Sequence, residues 1–191
     1  MKFFAWVINL IAKIFFRKKS KLFKKLLSYK YRTYQKQKLP VSEIVIKMLI
    51  VAEDHRFFKH GGVDFIAIVR AITRTYLYGK TEGGSTIEQQ LVRTITGNYQ
   101  KTFRRKLEEI CLACLVSDVV KKSKIPGFYL SLAYYGYNMN GYAQAVKRMG
   151  INYNLINAQD AVRIISRLKY PEPAKKNQKR NEQIRIRENY I

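Results

Sequence analysis

Residues 83–97 read GGSTIEQQLVRTITG, and this stretch sets how the rest of the chain divides. Ile87, Leu91, Val92 and Ile95 recur at helical spacing. Ser85 and Glu88 form an S-x-x-E capping box ahead of them, and Gly97 with Asn98 ends the run. The glycines in front of the helix let backbone approach a ligand closely, and a helix start offers unpaired N–H groups to an anion. Gly84 would supply that approach, Ser85 and Thr86 hydroxyl donors, and Gln89 and Gln90 lie one turn in. Taken alone, the stretch reads equally well as a capped helix start.

Helical patterns continue on both sides. Ser42 is a candidate N-cap for SEIVIKMLIVAED, which gives way to loop near Glu53. Asp64 is placed to cap a helix carrying Phe65, Ile68, Val69, Ile72 and Tyr76 at helical spacing, closed by Gly79. A long helix is expected from Phe103 to about Lys121, and another from Pro126 to about Tyr135. Gly136, Asn138, Asn140 and Gly141 mark turns, and helices follow near 142–149 and 158–169. Pro171 and Pro173 end the fold, and the charged tail beyond them carries one exposed helix. With no alternating strand and no repeat, the class is mainly α. Cys111 and Cys114 lie on one helix face within the apolar ICLACLV, as small buried hydrophobes rather than metal or redox ligands.

The chain carries 37 Lys and Arg against 13 Asp and Glu, a formal charge of +24. That balance selects partners and not a fold: nucleic acid, anionic lipid or a phosphorylated substrate. No recognition helix or RNA-binding module accompanies it, so nucleic acid is not expected. Phe3 to Phe16 is apolar but shorter than the roughly 20 residues of a standard span, and Lys13 interrupts it. No small-residue cleavage site follows. With the basic run RKKSKLFKK after it, residues 1–40 read as an anchor lying on anionic lipid, ending in a basic linker of low order over 17–40. Residues 41–173 read as the catalytic domain and 174–191 as a basic tail.

Three segments carry chemistry. EDHRFFKHGG at 53–62 places Glu53 where an apolar helix face meets loop, a fitting position for a general base. GGSTIEQQLVR at 83–93 is the anion-facing helix start. RRKLEE at 104–109 sets Arg105 and Lys106 within a turn of Glu109; cations there clamp phosphate, and the carboxylate orients a leaving group or a bound metal. Each has a plainer reading by itself: surface acids, a capped helix, an i,i+4 ion pair.

In this order and spacing, the segments resemble the motifs of the peptidoglycan glycosyltransferases: ED-x-x-F-x-x-H-x-G, G-G-S-T-[IL]-x-Q-Q-L and R-K-x-x-E. The likeness covers about Val41 to Pro173 and takes in GVDFIAIVRAI, Lys124–Ile125 and Tyr129–Leu130. It implies a lysozyme-like helical domain beside a membrane, polymerising a polyprenyl-pyrophosphate-linked disaccharide (lipid II) with inversion. By motif position, Glu53 would take the proton of the acceptor 4-hydroxyl. Glu109 would assist the pyrophosphate leaving group, directly or through Mg2+ or Mn2+. Ser85, Thr86, Gln90, Arg93, Arg105 and Lys106 would line the phosphate and sugar site, and Asp54, Phe57 and His60 would shape the first motif. The family acts on the outer face of the bacterial cytoplasmic membrane, whereas the basic run after residue 16 favours retention inside. With no penicillin-binding domain after Pro173, a monofunctional enzyme is expected.

The sequence also departs from the pattern. Arg93-Thr94 replaces Lys-Asn, Tyr129–Ser131 reads YLS for YLN, Gly127 stands where Glu is usual, and Ala145–Ile151 replaces an aromatic stretch. Both glutamates are kept. A divergent transferase using another lipid-linked glycan, and a non-catalytic glycolipid-binding module, are the alternatives these changes raise.

Overall fold

The computed structural model describes residues 17–37, 40–79 and 83–191, and the apolar stretch Phe3 to Phe16 lies outside them. Among the described residues there are nine α-helices: α1 Arg17–Gln35, α2 Glu43–Glu53, α3 Phe65–Tyr78, α4 Ile87–Thr96, α5 Phe103–Val116, α6 Ile125–Leu132, α7 Tyr142–Arg148, α8 Ala158–Lys169 and α9 Gln178–Tyr190. The mainly helical class expected from the sequence holds. Two short strands, β1 Tyr134–Gly136 and β2 Met139–Asn140, pair antiparallel where only turns were expected. No described helix is long and apolar enough to cross a membrane.

The described residues form two compact units: those of 17–36 with those of 53–125, and those of 37–52 with those of 126–191. The first is built on α4 packed against α5. Leu91, Val92 and Ile95 of α4 meet a buried α5 face of Leu112, Ala113, Leu115 and Val116. Both cysteines are free and lie on that buried stretch, and burial raises the Cys114 thiol to about 12. Helix α5 stops at Val116, earlier than expected, because the amides of Val119 and Val120 turn back to the Val116 carbonyl.

Residues 17–35 are not a disordered linker. Ser20, Phe23 and Leu27 recur at helical spacing, and they are the buried side of α1, which packs on α5. Lys19 reaches Glu108 at 2.6 Å and Lys24 reaches Asp118 at 2.7 Å, fixing the basic flanks. Three apolar-face residues suffice because the cations lie along the edges, stems covering apolar surface and heads in water.

Helix α3 forms where it was expected. Its caps are as read: Asp64 accepts from the amides of Ile66 and Ala67, and Gly79 closes the helix at φ 62°. Its apolar stripe, however, is not core, since Val69 is 62% exposed and Tyr76 86%.

In the second unit, Val45 and Leu49 of α2 are buried, and the Ser42 amide donates to the Tyr142 hydroxyl at 3.4 Å. The β1–β2 hairpin is closed by residue 172: Glu172 N donates to Tyr135 O at 2.9 Å and Tyr137 N to Glu172 O at 2.9 Å. Gly136 sits at φ 141°, where a Cβ would lie 2.5 Å from the Glu172 backbone. The C-terminal segment, read as an exposed tail, instead buries Ile184 and Arg187. Arg187 donates to the Ala52 carbonyl at 3.2 Å, satisfying an end group of α2.

Gly136→Ala is therefore expected to destabilise the fold by about 3 kcal/mol, combining steric overlap with a disfavoured φ. Thermal unfolding should fall by roughly 6–12 °C for a chain of this size, and an unchanged melting temperature would refute the close packing at Glu172.

Candidate active site

The candidate catalytic and substrate-binding residues, Glu53 to Glu109, all belong to the first unit. Helix α2 ends at Glu53, which is half-buried, and Gln90 Nε2 donates to its Oε2 at 3.1 Å. The next residue turns inward. Asp54, 6% exposed, accepts from Ile87 N at 3.1 Å and from His60 Nε2 at 3.1 Å. The Gly62 amide donates to His60 Nδ1 at 3.2 Å, so the ring proton lies on Nε2 and is aimed at Asp54. Phe57 is fully buried beside His60. These three side chains hold the first motif in shape from within.

Helix α4 is capped by Thr86 and not by Ser85. The Thr86 hydroxyl accepts from Gln89 N at 3.3 Å and donates to the Gly62 carbonyl at 2.6 Å, tying the second motif to the first. Gly84 brings the preceding loop against α3, where a Cβ would lie 3.2 Å from that of Ala71. Ser85, released from capping, turns its hydroxyl to Lys106. The expected capping box fails for a second reason: Glu88 is wholly buried and its carboxylate accepts from Lys122.

Lys106 is saturated. Its ammonium donates to Ser85 Oγ at 2.9 Å, Gln89 Oε1 at 2.6 Å and Glu109 Oε1 at 2.9 Å, one acceptor for each N–H. Burial pulls its pKa down, opposed by Glu109 and assisted by Arg93 and Arg105. Glu109, 3% exposed, is saturated as well. Arg93 donates through Nε to Oε2 at 3.0 Å and through Nη2 to Oε1 at 3.1 Å, while Arg105 donates to Oε2 and Lys106 to Oε1. Burial would raise the Glu109 pKa, but the hydrogen bonds from Arg93 and Lys106 outweigh it and hold the carboxyl below its ordinary value.

The two glutamates thus dock on one helix. Glu53 meets Gln90 and Glu109 meets Arg93, three residues or about 4.5 Å further along the α4 axis. Arg93, Arg105 and Glu109 share a small pocket with Thr96 and Asn98.

Neither carboxylate cluster fits a divalent cation as arranged. Four donors occupy the lone-pair directions of Glu109, and three positive charges surround it. Asp54, His60 and Glu88 bring ligand atoms within 4.8 Å of one another. There, however, the Gly62 amide fixes the proton on the one His60 nitrogen that faces Asp54, and Lys122 already neutralises Glu88.

Glu88 and Lys122 are the residues that sequence reasoning missed. A signal for Glu88 was present: with Leu91, Val92 and Ile95 it lies at i, i+3, i+4, i+7, on the core side of α4. Nothing in the local sequence marked Lys122.

A family model described as Transglycosylase matches residues 19–191. Penicillin-binding protein 1F of Bacillus subtilis is 37% identical over 113 residues, covering 57% of this chain and 16% of that protein. Penicillin-binding protein 1A of Escherichia coli is 34% identical over 119 residues, covering 59% of this chain and 14% of the relative. Penicillin-binding protein 1A of Aquifex aeolicus is 36% identical over 108 residues, covering 56% and 15%. The chain therefore spans about a sixth or less of the length of these relatives.

Glu109→Gln should destabilise the protein by about 3 kcal/mol at neutral pH, the low end for a broken buried pair because Arg93 and Lys106 remain about 30% exposed. Because the Glu109 pKa is depressed by folding, its contribution is present above the unfolded carboxylate pKa and is lost only as pH falls through the lower folded value. Melting curves of both proteins between pH 7 and pH 2 should stay apart until the acid end; curves that coincide throughout would show that Glu109 is not so clamped.

Proposed function

Because the chain belongs to the transglycosylase family, we propose that it polymerises a polyprenyl-pyrophosphate-linked disaccharide into peptidoglycan glycan strands, with Glu53 as base. The observation that carries this reading is the docking of two carboxylates about one turn apart on α4, the second of them amid three cations. Glu53 is oriented by the neutral amide of Gln90, whereas Glu109 is gripped by Arg93, Arg105 and Lys106.

In the reaction, the acceptor 4-hydroxyl forms a bond to the anomeric carbon of the donor as the bond to pyrophosphate breaks. Glu53 takes the hydroxyl proton, and Gln90 keeps its carboxylate in line. The leaving diphosphate departs as an anion and calls for positive charge in place of a strong proton donor. Arg105, Lys106 and Arg93 supply that charge, and Glu109 holds the three cations together before the diphosphate arrives. Attack from the face opposite the leaving group gives inversion, with base and leaving-group site at separate positions. The mainly helical architecture suits a lysozyme-like fold.

Membrane association is part of the same reading. Ile66, Val69, Ile72 and Tyr76 expose one apolar side of α3, and α1 adds exposed lysines and arginines. Apolar residues near cations suit an interface with anionic lipid. We place the domain on the outer face of the bacterial cytoplasmic membrane, a placement that a topology reporter fused after residue 191 would check.

Incubation of the full chain with labelled lipid-linked disaccharide-peptide should yield glycan strands, and Glu53→Gln should lower the rate about 100- to 10,000-fold. A folded wild type that forms no polymer in detergent or vesicles, or a Glu53→Gln variant of equal rate, would defeat this function. Turnover of a different lipid-linked glycan would favour the divergent-transferase alternative motivated by Arg93-Thr94. For the lipid contact, Val69→Asp with Ile72→Asp should release the protein from vesicles containing anionic phospholipid; undiminished co-flotation would remove α3 from the interface.

A further inference from the structure

Lys122 joins two parts of the site without belonging to any of its three motifs. Its ammonium donates to Glu88 Oε1 and also lies 3.9 Å from the centre of the Phe57 ring. Glu88 is wholly buried, burial raises its pKa against the pull of Lys122, and its second oxygen has no hydrogen-bond partner. Among the described residues, Lys122 is the side chain that donates to it. Phe57 opens a turn whose amide donates back to the Asp54 carbonyl at 2.8 Å, and Asp54 follows Glu53 directly. On the other side, Glu88 stands between Ile87, whose amide donates to Asp54, and the pair Gln89–Gln90, of which Gln90 orients Glu53.

We propose that Lys122 and Glu88 are a positioning pair for Glu53, fastening the turn at Phe57 to the start of α4 and so fixing the Glu53–Gln90 contact. The inference rests on the reading of Glu53 as base. Asp54 and Ile87 fasten the start of the first motif to α4 with a hydrogen bond at 3.1 Å, and Thr86 fastens its far end through the Gly62 carbonyl at 2.6 Å. The Phe57–Lys122–Glu88 link adds a third between these two ends, at the turn that follows Glu53 and Asp54 directly. Removing Lys122 leaves a buried carboxylate without its side-chain donor and its countercharge, and the Phe57 ring without its cation. The strain relaxes through the segment that carries Glu53. Neither residue touches the reacting atoms.

The experiment compares steady-state polymerisation by the full chain and by Lys122→Met, Glu88→Gln and Lys122→Arg, with labelled lipid-linked disaccharide-peptide as substrate. Circular dichroism confirms that each is folded at the assay temperature. Lys122→Met and Glu88→Gln should lower kcat about 10- to 100-fold with KM within about twofold, the scale of a displaced catalytic group. Lys122→Arg keeps a cation for both the carboxylate and the ring, and it should recover most of the rate. Folded Lys122→Met or Glu88→Gln with wild-type kcat, a change confined to KM, or a Lys122→Arg as slow as Lys122→Met would overturn the pair. If Lys122→Met does not fold, Glu88→Gln and Lys122→Arg decide. A wild type that makes no polymer defeats the base assignment and the pair with it, whereas an active wild type with indifferent variants defeats the pair alone.

Discussion

One ammonium group organises the site. Lys106 has three N–H bonds and places each on a different acceptor: a hydroxyl before α4, an amide within its first turn, and a carboxylate on α5 itself. The packing of α4 on α5 brings these together, and the lysine fixes their register by using all its donors. A half-buried cation is tolerable only because every donor is met and a carboxylate stands beside it. The same carboxylate then collects Arg93 and Arg105, so a cluster of like charges is held together, as the proposed diphosphate site requires. Without Glu109, mutual repulsion would spread the cations toward solvent.

This arrangement explains why the departure at position 93 is compatible with an ordered site. Arginine presents Nε and Nη2 as a planar fork to both oxygens of Glu109. An ammonium would be a point donor with no such fixed plane. The replaced residue keeps positive charge at the pocket beside Asn98 and Arg105 while adding rigidity to the glutamate.

Much of this was legible in the sequence because it depends on local rules. Asp64, Gly79, Asn98 and the Ala158–Lys169 helix follow from caps, turn formers and periodicity within a few residues. The grouping of Glu53, Gln90, Arg93, Arg105, Lys106 and Glu109 was legible from motif order. The failures have physical causes. Helix α1 was hidden by its charge, which says nothing against helix when three small or apolar residues line up beneath it. The cap moved from Ser85 to Thr86 because the Thr86 hydroxyl finds a distant carbonyl at Gly62. The hairpin was invisible because its closing partner, Glu172, is more than thirty residues further along. On α3, periodicity reports only that one side is apolar, not what covers it.

The second unit is discontinuous: the described residues of 37–52 pack with those of 126–191. Ser42 and Tyr142 are 100 residues apart, and Ala52 and Arg187 are 135 apart. At a ribosomal output of about 5–20 residues per second, Val45 and Leu49 wait roughly 5–20 s for the segment that covers them. In that interval α2 is an uncovered apolar helix on a nascent chain, and Arg187 reaches its Ala52 carbonyl later still. Holdase chaperones, or early docking of the emerging helix on lipid, would shield it, so that biogenesis here is governed by the order in which the polypeptide emerges.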